Sequence, residues 1–216
     1  MSALAAVFFD MDGTLVDTEV LWWQATEEVA AGLGHALGGA DAPEVVGRAV
    51  ADTAAHLVRV SGAGDPHRVA EELTGRFFRR VAAGAPLRPG ADRLLAVLAT
   101  QNVPFALVSA SPRLVVDAVA GGALAHVPFA FTLSADDTPR TKPHPDPYRA
   151  AAARLGAAPG ACVAVEDSPD GAASAEAAGC AVLVVPSLLE VAASRARSFA
   201  ASLEHVDLAG LRGCLR

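Results

Sequence analysis

The chain has 216 residues, 52% hydrophobic and 19% charged, which suits one or two compact domains that bury their own core without cross-links. Its formal net charge of −7 argues against a nucleic-acid or anionic-membrane partner, so an anionic ligand must be met by local positive charge or by a metal. The three cysteines, Cys162, Cys180 and Cys214, follow no pairing pattern; Cys162 and Cys180 sit in apolar runs, read as buried free thiols, and suit a reducing compartment.

Met1-Ser2-Ala3-Leu4 lacks the basic start of a signal peptide, and no apolar stretch is long enough to span a bilayer, so a cytoplasmic location is expected. Ala5-Ala6-Val7-Phe8-Phe9 is a continuous apolar run, the pattern of a strand covered on both faces in a parallel sheet. From residue 18 to 85 no convincing strand appears. Helices are predicted over Leu21 to Gly32, Ala42 to Val60 and Arg68 to Ala83. Leu87-Arg88-Pro89-Gly90 then returns the chain to α/β alternation. A helix is predicted over Ala91 to Thr100, a strand over Val103 to Val108, and a weaker strand over Phe129 to Leu133. Tyr148 to Leu155 is a helix with Asp146 as N-cap, Pro147 at its first position and Gly156 after it. Strands over Cys162 to Val165 and Ala181 to Val185 flank a helix over Ala172 to Ala178 that ends at Gly179. The expected fold is α/β, a doubly wound parallel sheet built from residues 1–16 and 86–216, with a helical domain of residues 17–85 inserted after the first strand.

Ligands of open α/β sheets bind beyond the carboxyl ends of the strands, so the residues that follow each strand are informative. The first strand ends in Asp10-Met11-Asp12-Gly13-Thr14, the second in Ser109-Ala110-Ser111, and the Cys162 strand in Glu166-Asp167-Ser168. Asp10 and Asp12 alone would read as turn residues. In company with the later clusters they form a carboxylate-rich edge whose mutual repulsion a divalent cation relieves, and all-oxygen ligation favours Mg²⁺. Lys142 is the only lysine; the other 16 basic residues are arginines, so this position calls for a compact ammonium rather than a planar guanidinium. Its place in a proline-stiffened loop suits charge stabilisation of a transferring phosphoryl group.

Together these motifs resemble the haloacid dehalogenase superfamily, within it the phosphatases and mutases that carry a helical cap. Phe8 to Asp17 is similar to the first motif, Ala106 to Ser111 to the second, Lys142 to Asp146 to the third, and Glu166-Asp167-Ser168 with Gly171 to the fourth. The resemblance implies a Rossmann-like core and a Mg²⁺-dependent hydrolase, a phosphatase acting on a small phosphorylated metabolite such as a sugar phosphate; a monomer or small homo-oligomer is expected. It implies that Asp10 attacks phosphorus to form an aspartyl-phosphate and that Asp12 serves as acid and then base. Ser109, Ala110 and Lys142 then hold the phosphate. Asp10, Asp12 through its backbone carbonyl, Glu166 and Asp167 form the metal site, and the cap closes over the substrate.

Asp12 and the Glu166-Asp167 pair speak against a dehalogenase, and a 17–85 segment without lysine speaks against a phosphonate-cleaving enzyme. A signalling receiver lacks both the second acid and the insert. A sugar phosphomutase of the β-phosphoglucomutase type is the main alternative, but Trp22 stands where that enzyme carries a histidine, and the arginine near Gly47 is displaced to Arg48. Asp17 to Trp22 resembles sugar phosphatases of the 2-deoxyglucose-6-phosphate type. In the cap, Trp22 is a candidate for stacking on a sugar or for internal packing, and Arg48 a candidate for substrate contact. Trp23 is expected to pack, and Arg59 and the Arg79-Arg80 pair to be solvated. The six histidines form no recognisable ligand pattern, and His144 is expected in solvated loop.

Overall fold

The computed structural model describes residues 3–46, 48 and 50–215, and the chain divides into two compact units, Met1–Asp17 with Pro86–Arg216, and Thr18–Ala85. The first unit is a six-stranded sheet: β1 (Ala6–Phe9), β2 (Phe105–Val108), β3 (Thr132–Leu133), β4 (Cys162–Glu166), β5 (Ala181–Val184) and β6 (Arg197–Phe199), in the order β3-β2-β1-β4-β5-β6. Every pairing is parallel, with Val7 opposite Phe105 on one side of β1 and opposite Val163 on the other. All four residues of β1 are buried, as a doubly covered central strand requires. On one face, Phe8, Ala106, Val108, Ala164 and Val182 pack with Tyr148, Ala151, Ala172 and Ala175. On the other, Phe9 meets Phe105 edge to face at 6.4 Å.

Five helices accompany the sheet: α5 (Ala91–Thr100), α6 (Arg113–Gly121), α7 (Asp146–Arg154), α8 (Pro169–Ala178) and α9 (Leu208–Gly213). Among the described residues the second unit has the helices α1 (Thr18–Gly32), α2 (Ala42–Val45), α3 (Val50–Ser61) and α4 (Pro66–Ala83). There α4 packs on α1 and α3 around Trp22, Val29, Val45, Leu57, Val69 and Leu73. No helix among the described residues is long and apolar enough to cross a membrane.

The structure departs from the sequence expectations in several places. The helix expected over Ala42 to Val60 is two helices, because Val46 turns to an extended conformation (ψ 124°); Gly47 and Ala49, which belong to the same expectation, lie outside the described residues. The Phe129 to Leu133 strand shrinks to Thr132–Leu133, because Phe129 is held in a tight turn by its N–H bond to the Val127 carbonyl (2.9 Å). Asp146 does not cap α7. It opens the helix, and its carboxylate turns to Arg140 (3.2 Å) and His144 (3.0 Å). Three elements had no expectation: α6, α9 and β6, the last half-exposed and without an apolar run.

Candidate active site

The sheet delivers the chemistry-bearing residues to one edge. Asp10 follows β1, with its N–H on the Val165 carbonyl at 3.0 Å, and Ser109 follows β2, with its N–H on the Leu133 carbonyl at 2.9 Å. Glu166 closes β4, and Asp167 comes next. A tight loop returns the chain after Asp10: Leu15 and Val16 donate to the Met11 carbonyl, and Gly13 donates to Val16. Gly13 has φ +81° and faces the Asp167 carboxylate so closely that a Cβ would overlap it. A Cβ on Gly171 would overlap the Glu166 carboxylate in the same way. Two glycines thus make room for one acid each.

Lys142 ties the acids together. Its ammonium lies 2.6 Å from Asp10 Oδ1 and 2.7 Å from Glu166 Oε1, and its side chain is almost fully buried. The Lys142–Pro143 peptide bond is cis. Tyr148 donates a short hydrogen bond to the same Glu166 Oε1. Asp167 accepts from Thr14 (3.4 Å) and, in a short bond, from Ser187. Asp12 turns the other way: its Oδ2 accepts from Ser111 (2.7 Å) and Ser109 (3.3 Å), and Ser109 Oγ accepts from the Ser111 N–H at 2.9 Å. Ala110 is exposed beside them.

The charges do not balance. Asp10, Glu166 and Asp167 each offer an oxygen within 4.8 Å of the others, and Asp10 Oδ2 is buried with no hydrogen-bond partner among the described residues. Burial pushes Glu166 up to about 7 against the pull of Lys142, with the charge of Asp10 adding to the rise. Burial and then the charge of Asp10 push Asp167 up to about 7 as well. Burial alone would draw the Lys142 pKa down, but Asp10 and Glu166 outweigh it and raise it, so the ammonium stays charged. An unpartnered buried oxygen among three carboxylates and one ammonium fits a hard divalent cation with oxygen ligands.

The residues expected from the sequence thus separate into groups. Asp10, Glu166, Asp167 and Lys142 come together, and Asp12 sits with Ser109 and Ser111. Trp22 and Arg48 belong to the helical unit. Trp22 is buried there, donating from Nε1 to the Val45 carbonyl (2.9 Å) and meeting Phe77 edge to face at 5.6 Å, the contacts of a ring packed within its own unit. Trp23 packs against the same cluster. Arg48 is exposed and donates to the Pro43 carbonyl at 2.9 Å. Arg80, expected to be solvated, instead pairs with Glu28 and Gln24. His144 is bound to Asp146 rather than free in the loop. The three cysteines are buried and, among the described residues, none is in a disulfide.

Sequence reasoning missed Thr14, Tyr148 and Ser187, and quoted Ser111 without assigning it. Ser187 carried a usable signal. It falls just after β5, on the same sheet edge, and the strand-end rule that found Ser109 and Glu166 applies there too. Tyr148 is the only tyrosine of the chain and lies one helical turn into the segment that follows Lys142.

Residues 4–179 match the family described as haloacid dehalogenase-like hydrolase. The chain belongs to that family. It is 34% identical over 187 residues to Hexitol phosphatase B of Escherichia coli (strain K12), a match covering 85% of this chain and 84% of the relative. It is 33% identical over 201 residues to the plasmid CbbY protein of Cupriavidus necator, covering 85% of this chain and 78% of the relative. Among solved structures, CbbY from Rhodobacter sphaeroides in complex with xylulose-(1,5)bisphosphate is similar with a TM-score of 0.75 and 26% identity, over 96% of this chain and 99% of that one.

Proposed function

We propose that this hydrolase cleaves a small phosphate monoester of the sugar-phosphate or sugar-alcohol-phosphate class, with Mg²⁺, through an aspartyl-phosphate on Asp10. The observation that carries the reading is Asp10 itself. One oxygen is fixed by the only lysine of the chain and the other is buried without a hydrogen-bond partner among the described residues. The names of relatives support the substrate class: Hexitol phosphatase B at 34% identity and the bisphosphate-bound CbbY structure at 26%.

Asp10, Asp167 and the backbone carbonyl of Asp12 would hold the metal, with Glu166 beside them. When bound, the metal neutralises charge on the phosphoryl oxygens. The chain's own residues do the rest. Asp10 attacks phosphorus and the P–O bond to the sugar breaks, while Asp12, in its protonated form, gives its proton to the leaving oxygen. Asp12, now a carboxylate, then takes a proton from water, which attacks phosphorus; the P–O bond to Asp10 breaks and phosphate leaves. Lys142 has three N–H donors, of which Asp10 and Glu166 take two, so the third serves a phosphoryl oxygen. Ser109, the Ala110 backbone and Ser111 line the phosphate position. Asp12 rests on both serine hydroxyls, so an arriving phosphate competes for them and frees Asp12 for the ester oxygen.

The test is phosphate release from a panel of hexitol phosphates, aldose phosphates and ketose bisphosphates, with Mg²⁺ and after chelation. Turnover that disappears with EDTA and returns with Mg²⁺ is expected. No release from any ester, or release indifferent to chelation, would remove the reading. The mutase alternative loses support because Trp22 replaces the expected histidine and is packed inside its own unit; an isomerised ester in place of free phosphate would restore it.

A further inference from the structure

Tyr148 is fully buried in α7, six residues beyond Lys142, and it is the only tyrosine of the chain. Its ring packs against Phe8 of β1, with centroids 6.3 Å apart, two residues before Asp10. The same ring has the Lys142 ammonium 5.3 Å from its centroid. Its hydroxyl donates to Glu166 Oε1, the oxygen that also takes Lys142 at 2.7 Å. Among the described residues the other oxygen, Oε2, has only the longer Ser168 contact at 3.4 Å.

We infer that Tyr148 is a positioning residue for Lys142: its hydroxyl fixes Glu166 Oε1, and Glu166 in turn fixes the ammonium that lies on Asp10. A carboxylate can rotate about its Cγ–Cδ bond, and the position of Lys142 between two carboxylates depends on where each offers an oxygen. With the phenol in place, Oε1 has two donors from different directions, which sets the plane of the carboxylate. Without it, Glu166 is free to follow the ammonium, and the ammonium is free to leave Asp10. The third Lys142 N–H then loses its aim at the phosphoryl group. A phenol placed only to fill the core would not need its hydroxyl, and Phe would serve as well. This inference rests on the phosphatase reading for its kinetic consequence, but not for its structural one.

The composition of the chain makes the test unusually clean. Lysine labelled with ¹⁵N at Nζ yields one side-chain signal, that of Lys142, and replacing tyrosine by 3-fluorotyrosine during expression alters only position 148. In the Mg²⁺-loaded, untagged chain, Tyr148→Phe should shift the Lys142 Nζ resonance and speed its exchange with solvent. It should lower kcat about tenfold, the loss of one hydrogen bond to a charged group, with KM within about twofold of the wild type. The fluorotyrosyl protein keeps the hydroxyl donor, so it should keep kcat within about twofold while moving the Lys142 resonance by a smaller step. A folded Tyr148→Phe protein with an unchanged Lys142 signal would overturn the inference, whether or not its kcat falls. If Tyr148→Phe does not fold, the fluorotyrosyl protein decides, and an unmoved Lys142 resonance there also overturns it. Wild-type protein without phosphatase activity would sink the function proposed above, yet the Lys142 resonance would still judge this positioning role.

Discussion

In the α/β unit, three buried carboxylates cluster, one ammonium pairs with two of them, Asp10 and Glu166, and an oxygen of Asp10 has no hydrogen-bond partner among the described residues. In the helical unit a buried carboxylate, Asp41, is fully matched: it accepts from the Gly38 N–H at 2.9 Å, from His56 at 2.7 Å and from His35 at 3.2 Å. Arg59 completes that network. Its guanidinium can only donate, and it reaches His56 Nδ1 at 2.8 Å, so His56 must carry its proton on Nε2 and give it to Asp41. The two regions place acids in the interior for different ends. Where donors satisfy the charge, the group holds elements together. Where they do not, the site is built for something that arrives.

The largest expected effect is on Asp10. Asp10→Asn should lower turnover by roughly three orders of magnitude or more without lowering the metal-free melting temperature, because it removes one of three mutually repelling carboxylates. Retained turnover would take Asp10 out of the chemistry. Lys142→Arg should lower kcat by about 10²-fold, because a guanidinium does not fit where the ammonium sits 2.6 and 2.7 Å from two carboxylates. Near-normal rates would make the lone lysine an accident of composition.

In the helical unit the effects should fall on stability instead. Trp22→Phe removes the Nε1 bond to Val45 and part of the core, and should cost about 1–2 kcal/mol in denaturant unfolding while leaving KM unchanged. A large KM change with unaltered stability would return Trp22 to the substrate. The smallest effect concerns acid. The Gly38 N–H and then His56 lower Asp41 from 3.8 to about 2. A carboxylate lowered on folding stabilises the native state above its ordinary value, and that contribution is lost as pH falls from about 3.8 toward about 2. Asp41→Asn should flatten that limb of the acid-unfolding curve, and an unchanged curve would show that the network adds nothing.

The legibility of the molecule follows the same division. β1, β4 and β5 stood out because strands covered on both faces are continuous apolar runs, and the polar residues that end them are conspicuous for that reason. Asp10, Ser109, Glu166 and Asp167 were found in this way, and Lys142 by its being the only lysine. β6 has one exposed and two half-buried residues, so it carries no such run. The break at Val46 depends on a backbone turn that no apolar period announces. Ser187 follows β5 and Tyr148 is the only tyrosine, but neither residue type points to chemistry by itself, and it is proximity to Asp167 and Glu166 that gives each a partner. The ring of Trp22 suits a sugar or a core equally well on paper, and its contacts with Val45 and Phe77 show the packing role alone. The histidines looked scattered because His35 and His56 meet at Asp41 from different parts of the unit.

The central claim, that the unmatched acids around Asp10 transfer phosphate to water, is tested most directly by ³¹P NMR of an excess of sugar phosphate incubated with the chain and Mg²⁺. The expected result is loss of the ester signal with equal growth of inorganic phosphate over many turnovers, absent with Asp10→Asn. An ester signal that persists, or that is replaced by a different phosphate ester, would contradict it.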